Sequence, residues 1–318
     1  MSIEALYSRA DGRDELVQLE GWTGMPIPRD ELMWVDVVDP TPDDLALLGR
    51  TFDLTPGTLD HLRDTTGRPD AAFGPDGVDI LVRMPATDLS EDPFGIRILL
   101  GDEWVITAHA EPVAFLDEHR QRIQDSREVG LLTPIQFLST LLDWMLDRYF
   151  EVAEKLERVV DELDDAALGT DRELLQRLVR MRRHIARLRR LLTSHREMFA
   201  EIRRPDFLPG IEDSERELLG TVATRLDRAA DAIANVREML IGTFDVHMTR
   251  TAQRTNDIMK VLTLASAILL PASVVAGVMG MNFKLAFFDE PALFWVVLVG
   301  MLAFAALTIG FARWRRWL

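Results

Sequence analysis

The C-terminal part of this chain contains two long segments without a single charged residue, residues 261–281 and 291–312. They comprise 21 and 22 residues, and a helix of either length extends for about 30 Å at roughly 1.5 Å per residue, which is the thickness of the hydrocarbon core of a membrane. A buried helical hairpin in a soluble core is the alternative interpretation. Because the segments are long, adjacent and uncharged throughout, the sequence favours two membrane-spanning helices joined by a short outer loop at 282–290.

The residues that flank these segments predict how the chain is oriented in the membrane. Three arginines and two tryptophans follow the second segment within a basic tail, residues 313–318. Positive charge with interfacial tryptophan is typical of a cytoplasmic end. The N-terminal residues lack the apolar core of a signal peptide. We therefore expect a multi-pass protein of the cell membrane, in contact with lipid, with both termini in the cytoplasm.

The charge of the chain is strongly segregated. The whole chain carries a net charge of -16, whereas residues 261–318 sum to +2, so that the first 260 residues carry -18. Such an acidic surface repels nucleic acid and attracts cations. The chain has no cysteine, which excludes disulfides, thiolate metal sites and a cysteine nucleophile. Its six histidines show no metal-ligand spacing, and nucleotide-binding and hydrolase motifs are absent from the sequence. The sequence therefore predicts neither an enzyme nor a nucleic-acid-binding protein.

The N-terminal segment, residues 1–125, has the pattern of a cytoplasmic α/β domain. Strands are predicted at 33–38 and 78–84, and a hairpin at 94–100 and 104–108. A helix is predicted to begin at Pro42 behind an N-cap at Thr41. Strands mixed with helices at this spacing indicate a sheet that is covered by helices.

From Pro134 onward the pattern becomes helical. Apolar residues recur with a period of 3.6 residues until a break at Gly169, and a second helix is predicted at 171–202. The fold class is therefore an α+β cytoplasmic domain plus two C-terminal transmembrane helices. The predicted segments after residue 125 are a helical hairpin (126–210), a long stalk helix (211–260), a first span continuous with it (261–281), the outer loop (282–290), a second span (291–312) and the basic tail (313–318).

A run of basic residues at 179–190 allows two interpretations. It could bind nucleic acid or anionic lipid. It could also be the charged face of a helix that pairs with the acidic segment 161–165 across the helical hairpin. Surfaces that bind single-stranded nucleic acid typically have aromatic residues among the basic ones. The run 179–190 contains no aromatic residue, so we favour the pairing with the acidic segment.

The first apolar segment carries a stripe of small and polar residues along one helical face. Its members, which follow each other in steps of three or four residues, are Asn256, Met259, Thr263, Ser266, Leu270, Ser273, Gly277 and Gly280. Such a stripe is typical of a packing seam between helices, and it is equally typical of a pore lining. Two spans cannot enclose a pore, so a pore requires a homo-oligomer with these stripes facing its axis. Pro271, which lacks an N–H group, predicts a local bend or a hydrated carbonyl.

The first apolar segment leads into the tripeptide Gly280-Met281-Asn282, with the segment 255–263 and Pro271 upstream of it. These residues resemble the pattern of the CorA magnesium transporters. The tripeptide Gly280-Met281-Asn282 matches the signature of that family and stands at the end of the first of two C-terminal spans. The upstream segment 255–263 and Pro271 followed by Ala276-Gly277 also match its pattern. The layout of acidic soluble part, long helix and basic tail resembles the family over the whole chain.

This resemblance implies a homopentameric funnel in which the first span lines a central pore and the second lies outside it. Asn282 would form a ring at the outer mouth, and Gly280, Met281 and Asn282 the selectivity filter. Met259, Leu262 and Leu270 would be apolar constrictions, although the stripe itself favours Thr263 rather than Leu262 as the inward residue. The pore-lining residues implied by the resemblance are Asn256, Met259, Leu262, Ser266, Leu270, Ser273 and Gly277.

The resemblance also implies regulation by Mg²⁺, which would be both the transported and the regulatory ion, with no organic cofactor. Asp245 on the long helix and Asp88 after the strand 78–84 would bind this ion between subunits. The outer loop departs from the family pattern, because it lacks a dense acidic cluster and carries Lys284 close to the mouth. Co²⁺ and Ni²⁺ are further candidate substrates. The alternatives are a zinc transporter of the same superfamily, with or without proton coupling, and a membrane-anchored helical scaffold without a pore.

Overall fold

The computed structural model describes residues 3–11, 13–22, 25–86, 88–89, 91–117, 120, 132–167, 173–204, 206–208, 211–281 and 291–315. Contacts divide the chain into two compact units. The first unit comprises Met1–Ala166 with Asp171–Thr243, and the second comprises Phe244–Leu318 with Ala167–Thr170.

A mixed seven-stranded sheet forms the centre of the first unit. Its order is β2-β1-β3-β7-β6-β5-β4, and the central pair β3–β7 is parallel while all other pairs are antiparallel. The predicted strands and the hairpin are confirmed, whereas β1, β2 and β4 were not predicted. The strands are β1 (Ile3–Ser8), β2 (Asp14–Val17), β3 (Leu32–Val38), β4 (Asp70–Gly74), β5 (Gly77–Met84), β6 (Phe94–Leu100) and β7 (Trp104–His109).

Helices cover both faces of this sheet, as the fold class predicts. On one face, Met33, Val35 and Val37 of β3 belong to a buried core with residues of α1 (Pro42–Phe52) and α2 (Pro56–Arg63). On the other face, the Trp34 ring lies 5.1 Å from the ring of Phe137, which belongs to α3 (Pro134–Ala167). The alternation of side chains along a strand thus places successive β3 residues in two different cores.

The N-terminus of α1 confirms the predicted cap at Thr41. The Thr41 side chain accepts a hydrogen bond from the Asp44 backbone N–H at 3.2 Å, and the Asp44 carboxylate accepts one from the Thr41 N–H at 2.9 Å. This reciprocal arrangement satisfies two backbone donors that the helix itself leaves unpaired. Pro42 follows at the first helical position, where its missing N–H costs nothing.

Two further helices, α4 (Leu174–Ile202) and the first part of α5 (Asp213–Met279), complete the first unit. Arg225 of α5 pairs with both Asp143 and Asp147 of α3. Arg196 of α4 pairs with Asp227 of α5 at 2.8 Å. These contacts connect all three helices.

The pairing predicted for the basic run is wrong for the described residues. Among the described arginines of 179–190, Arg187 forms an ion pair with Asp92 of the segment before β6, and none forms one with residues 161–165. Because both partners are well exposed, this pair contributes little to stability.

His195 of α4 is fully buried against the end of β5. Its Nδ1 lies 2.9 Å from the Leu191 carbonyl, so Nδ1 carries the proton, and Nε2 accepts a hydrogen bond from the Arg83 N–H at 3.2 Å. The Tyr149 hydroxyl of α3 donates to the Arg83 carbonyl at 2.9 Å. The His195 and Tyr149 side chains thus pair with the N–H and the carbonyl of Arg83, which lies beyond the end of the β4–β5 pairing. Burial lowers the pKa of His195 to about 4, which agrees with a neutral ring.

The predicted long helix is confirmed. The 67 residues of α5 continue through the apolar segment and include Pro271, and the predicted bend there remains a prediction. The helix ends at Met279, two residues before the predicted end of the first span. The last helix, α6 (Pro291–Trp314), extends two residues beyond the predicted second span. Both helices contain a window that is long and apolar enough to cross a membrane, and neither window is buried within the structure.

Candidate ion pathway

The apolar part of α5 has one face that is less exposed than the rest. Leu264, Ile268, Ala272 and Met279 are half-buried, and successive members lie four or seven residues apart. In α6 the residues with the same property are Val297, Met301, Ala305, Thr308 and the buried Ala312. An isolated helix exposes all its faces alike, so a half-buried face requires a neighbouring element. Since both segments belong to the second unit, we infer that these two faces pack against each other.

The stripe of small and polar residues lies on the opposite face of α5. At about 100° of rotation per residue, its centre is roughly 180° from the half-buried face. Every member of the stripe is exposed within the chain, and Met259 and Leu270 are 60% and 64% exposed. The stripe is therefore not the seam between the two spans of one chain. Its partner is water, lipid or another copy of the chain.

Leu262 lies at the border of the stripe. It is 65% exposed, and helical geometry places it about 60° from the centre of the stripe. Thr263 lies closer to the centre, and its hydroxyl donates to the Met259 carbonyl at 2.7 Å within the helix. This bond uses the hydroxyl proton and leaves the oxygen lone pairs free to face an ion.

The predicted selectivity tripeptide lies only in part within the described residues. The N–H groups of Gly280 and Met281 donate to the Ala276 and Val278 carbonyls at 2.9 and 3.2 Å, which terminates α5 by a final turn. Asn282 and the outer loop with Lys284 lie outside the described residues. The side chain of Met281 is exposed.

The two carboxylates predicted to sense Mg²⁺ lie in different units. Asp245 is an exposed residue of α5 in the second unit, and Asp88 is an exposed residue of the bend between β5 and β6 in the first. The Asp88 carbonyl accepts a hydrogen bond from the Glu91 N–H at 3.1 Å. Within the described part of one chain, no group of three or more histidine or carboxylate side chains could hold a metal ion. A site between two copies would need a residue from each.

An α/β unit that continues through one helix into a pair of exposed apolar helices, each long enough to cross a membrane, is the arrangement of an integral membrane protein with a large domain outside the bilayer. The sequence model of the CorA-like Mg²⁺ transporter protein family matches residues 29–313, and the chain belongs to this family. The family membership expected from the sequence is thereby confirmed.

Individual relatives agree with this assignment over most of the chain. The cobalt/magnesium transport protein CorA of Thermotoga maritima is 27% identical over 286 residues, which are 87% of this chain and 80% of the relative. The structure of the CorA magnesium transporter from Methanocaldococcus jannaschii superimposes with a TM-score of 0.83 at 22% identity and covers 100% of this chain and 99% of its own. The ZntB cytoplasmic domain from Vibrio parahaemolyticus has a TM-score of 0.65 at 14% identity, with coverage of 80% and 100%. These structures show that the fold is shared.

Proposed function

We propose that this chain is the subunit of a homopentameric Mg²⁺ channel of the cell membrane, with both termini in the cytoplasm and no enzymatic activity. The observation that supports a channel most directly is the exposed stripe of α5, because it lies opposite the half-buried face of the same helix. Five such stripes around an axis would enclose a path lined by small and polar residues, with α6 on the lipid side. The Gly-Met-Asn tripeptide at the end of the stripe supports the choice of ion.

Selection of Mg²⁺ is assigned to Asn282. Mg²⁺ loses its water reluctantly, so a ring of neutral carboxamides can recognise the hydrated ion through hydrogen bonds to its water molecules. A ring of carboxylates would bind the ion more tightly and slow its passage. Below this ring, Gly277 and Ser273 would offer carbonyl and hydroxyl oxygens, and Asn256 would form a polar ring near the cytoplasm.

Closure of the pore is assigned to apolar side chains of the same helix. Rings of Met259, Leu262 and Leu270 would exclude water when they approach one another. Mg²⁺ bound between Asp88 of one subunit and Asp245 of the next would favour the closed state, because the ion binds that state more tightly. The inside-negative membrane potential supplies the driving force, which is about 2.3 kcal/mol per charge per 100 mV and about twice that for a divalent ion.

Zinc transport driven by a proton gradient is the second candidate function. It is favoured by the likeness of the soluble unit to the ZntB cytoplasmic domain, which concerns the fold alone. The intact Gly-Met-Asn tripeptide and the absence of clustered histidines in the sequence favour Mg²⁺. A scaffold without a pore would use the exposed stripe as a packing seam between copies, and it would carry no ion flux.

The pore face can be tested by introducing single cysteines, because the natural chain contains none. In proteoliposomes of Ser273→Cys, a positively charged, water-soluble thiol reagent is expected to react with the introduced cysteine. The reaction should lower Mg²⁺ flux by roughly tenfold or more, because a fixed positive charge in a narrow pore repels cations. The matched control is Ala303→Cys at an exposed position of α6. Position 303 faces lipid in the proposed arrangement, so the Ala303→Cys protein should neither react with the reagent nor lose Mg²⁺ flux. Reaction at Ala303→Cys but not at Ser273→Cys would refute the assignment of faces.

A further inference from the structure

A cluster of buried charged and polar side chains lies at the ends of the parallel strands β3 and β7. Asp36 of β3 is 4% exposed, and His109 of β7 is 1% exposed. Thr107 of β7 is also buried, and Arg120 reaches the cluster from the segment after β7. Ionisable groups at such depth are rare unless they are paired, so their hydrogen bonds fix their charge states.

Asp36 is held as an ionised acceptor. Arg120 Nη2 donates to Asp36 Oδ2 at 2.8 Å. The Trp34 indole can only donate, and it donates to Thr107 Oγ1 at 2.9 Å. The Thr107 hydroxyl therefore directs its own proton to its other partner, Asp36 Oδ1. Both carboxylate oxygens of Asp36 therefore act as hydrogen-bond acceptors.

Both ring nitrogens of His109 face acceptors. Nδ1 lies 2.6 Å from the Glu111 carbonyl oxygen, which can only accept, so Nδ1 carries a proton. Nε2 lies 3.0 Å from Asp36 Oδ1, which is the ionised acceptor just described, so Nε2 carries a proton as well. An imidazole that is protonated at both nitrogens is a cation. His195 differs, because its Nε2 accepts a hydrogen bond from a backbone N–H.

The charges around His109 favour the same state. The groups that face the cluster are Asp36 from β3, Glu4 from β1, and Asp117 and Arg120 from the segment after β7. From α3, the neighbour is the apolar ring of Phe137 on Trp34. Without a charge on His109, three carboxylates would face one guanidinium. Burial opposes a charge on His109, but the hydrogen bond and the negative charge of Asp36 outweigh it, and the pKa of His109 is raised above its ordinary value.

We propose that His109 and Asp36 form a buried proton-binding site that holds the segment 111–117 and Arg120 against the sheet. The bound proton is the one on Nε2 of His109. When it leaves to solvent, the N–H bond is the only covalent bond that breaks. Its departure places the Nε2 lone pair against the Asp36 carboxylate and removes one of the two cations that neutralise it. Alkaline pH in the cytoplasm would thus loosen this segment. None of its residues belongs to the proposed ion pathway or to the proposed Mg²⁺ sensor.

The sign of the pH dependence follows from linkage. The closed cluster binds a proton with a raised pKa, and an opened segment has the ordinary histidine pKa of about 6.5. Below pH 6.5 both states are protonated, and the stabilisation is complete. Between pH 6.5 and the raised pKa of the closed cluster, opening releases a proton, so the opening equilibrium constant rises by about tenfold for each pH unit.

Hydrogen exchange of the full-length protein in lipid nanodiscs tests the proposal. Exchange rates of peptides within 104–117, divided by the intrinsic chemical rates at each pH, are expected to rise about tenfold per pH unit between pH 6.5 and the raised pKa of His109 in the natural protein, and to level off above it. In His109→Gln the slope should vanish. The matched control is His61→Gln, because His61 also pairs with a carboxylate, Asp79, but is exposed. This control should retain the slope.

Nitrogen NMR of the ¹⁵N-histidine-labelled protein in bilayers provides a second readout that does not depend on opening. At pH 7 the signal that disappears in His109→Gln should be that of an imidazolium, and in Asp36→Asn the same histidine should be neutral. A neutral His109 in the natural protein, or corrected exchange rates that do not change with pH, would overturn the proposal. If His109→Gln fails to assemble, Asp36→Asn takes its place. In Asp36→Asn the His109 signal should change from imidazolium to neutral imidazole, and the exchange rates should lose their pH dependence.

Discussion

Replacing Asn282 by alanine is expected to abolish selective Mg²⁺ uptake while the protein still assembles in the membrane. In the proposed pore, the carboxamide ring recognises the water shell of the ion. A hydrogen bond between neutral groups contributes roughly 0.5–1.5 kcal/mol. The ring loses one carboxamide per subunit, and the loss of two or more such interactions per ion corresponds to a decrease in Mg²⁺ flux of about tenfold or more. The measurement is Mg²⁺ uptake into proteoliposomes that contain equal amounts of assembled protein.

Two variants serve as controls for this prediction. Asn282→Gln retains a carboxamide and should retain part of the flux. Leu302→Ala removes a comparable number of atoms from an exposed position of α6, which is remote from the proposed pore, and should transport normally. Undiminished and selective Mg²⁺ uptake by Asn282→Ala would contradict the role of the tripeptide, and a scaffold without a pore would be indifferent to all three changes.

Replacing Asp88 and Asp245 together by alanine is expected to preserve flux into Mg²⁺-free vesicles but to weaken its inhibition by internal Mg²⁺. The bound ion would cross-link neighbouring subunits, so its loss removes the preference for the closed state. Allosteric coupling is typically 1–3 kcal/mol, and we expect the inhibitory Mg²⁺ concentration to rise on the order of tenfold. The measurement is Mg²⁺ flux as a function of the internal Mg²⁺ concentration.

The control for this double variant removes the same charge elsewhere. Asp102 lies in the turn between β6 and β7, and Asp231 lies on α5 in the first unit, and both are exposed. Asp102→Ala with Asp231→Ala should leave inhibition as in the natural protein. Inhibition that is unchanged in the Asp88 and Asp245 double variant would refute the sensor assignment without affecting the assignment of the pore.

The parts of the fold that the sequence predicts well are those with a long regular pattern. The 3.6-residue period and the absence of proline between Asp213 and Pro271 predicted α5, and the Thr41-Pro42 signal predicted the start of α1. The strands β3, β5, β6 and β7 are runs of apolar residues bounded by turns. The strands β1, β2 and β4 were missed because each lies in the outer part of the sheet and has a mixed pattern, since only part of its surface is buried.

The candidate sites were predictable to different degrees. The periodicity of the stripe identified the face of α5, but only the burial pattern distinguished this face from the one that packs on α6. The role of Asn282 came from the resemblance rather than from spacing. The buried cluster of Asp36 and His109 was missed, although a charge within the apolar run of β3 is a signal that a partner must exist. Its partners come from distant parts of the chain, which the sequence pattern does not bring together.

Transport by the purified natural protein tests the central proposal most directly. Proteoliposomes are loaded with an ion-sensitive dye, and the entry of Mg²⁺, Co²⁺, Ni²⁺ and Zn²⁺ is compared at an inside-negative potential with and without a pH gradient. A pentameric Mg²⁺ channel predicts Mg²⁺ entry that follows the membrane potential, does not require the pH gradient and stops when internal Mg²⁺ rises. Zn²⁺ entry that depends on a proton gradient, with no entry of Mg²⁺, would contradict it.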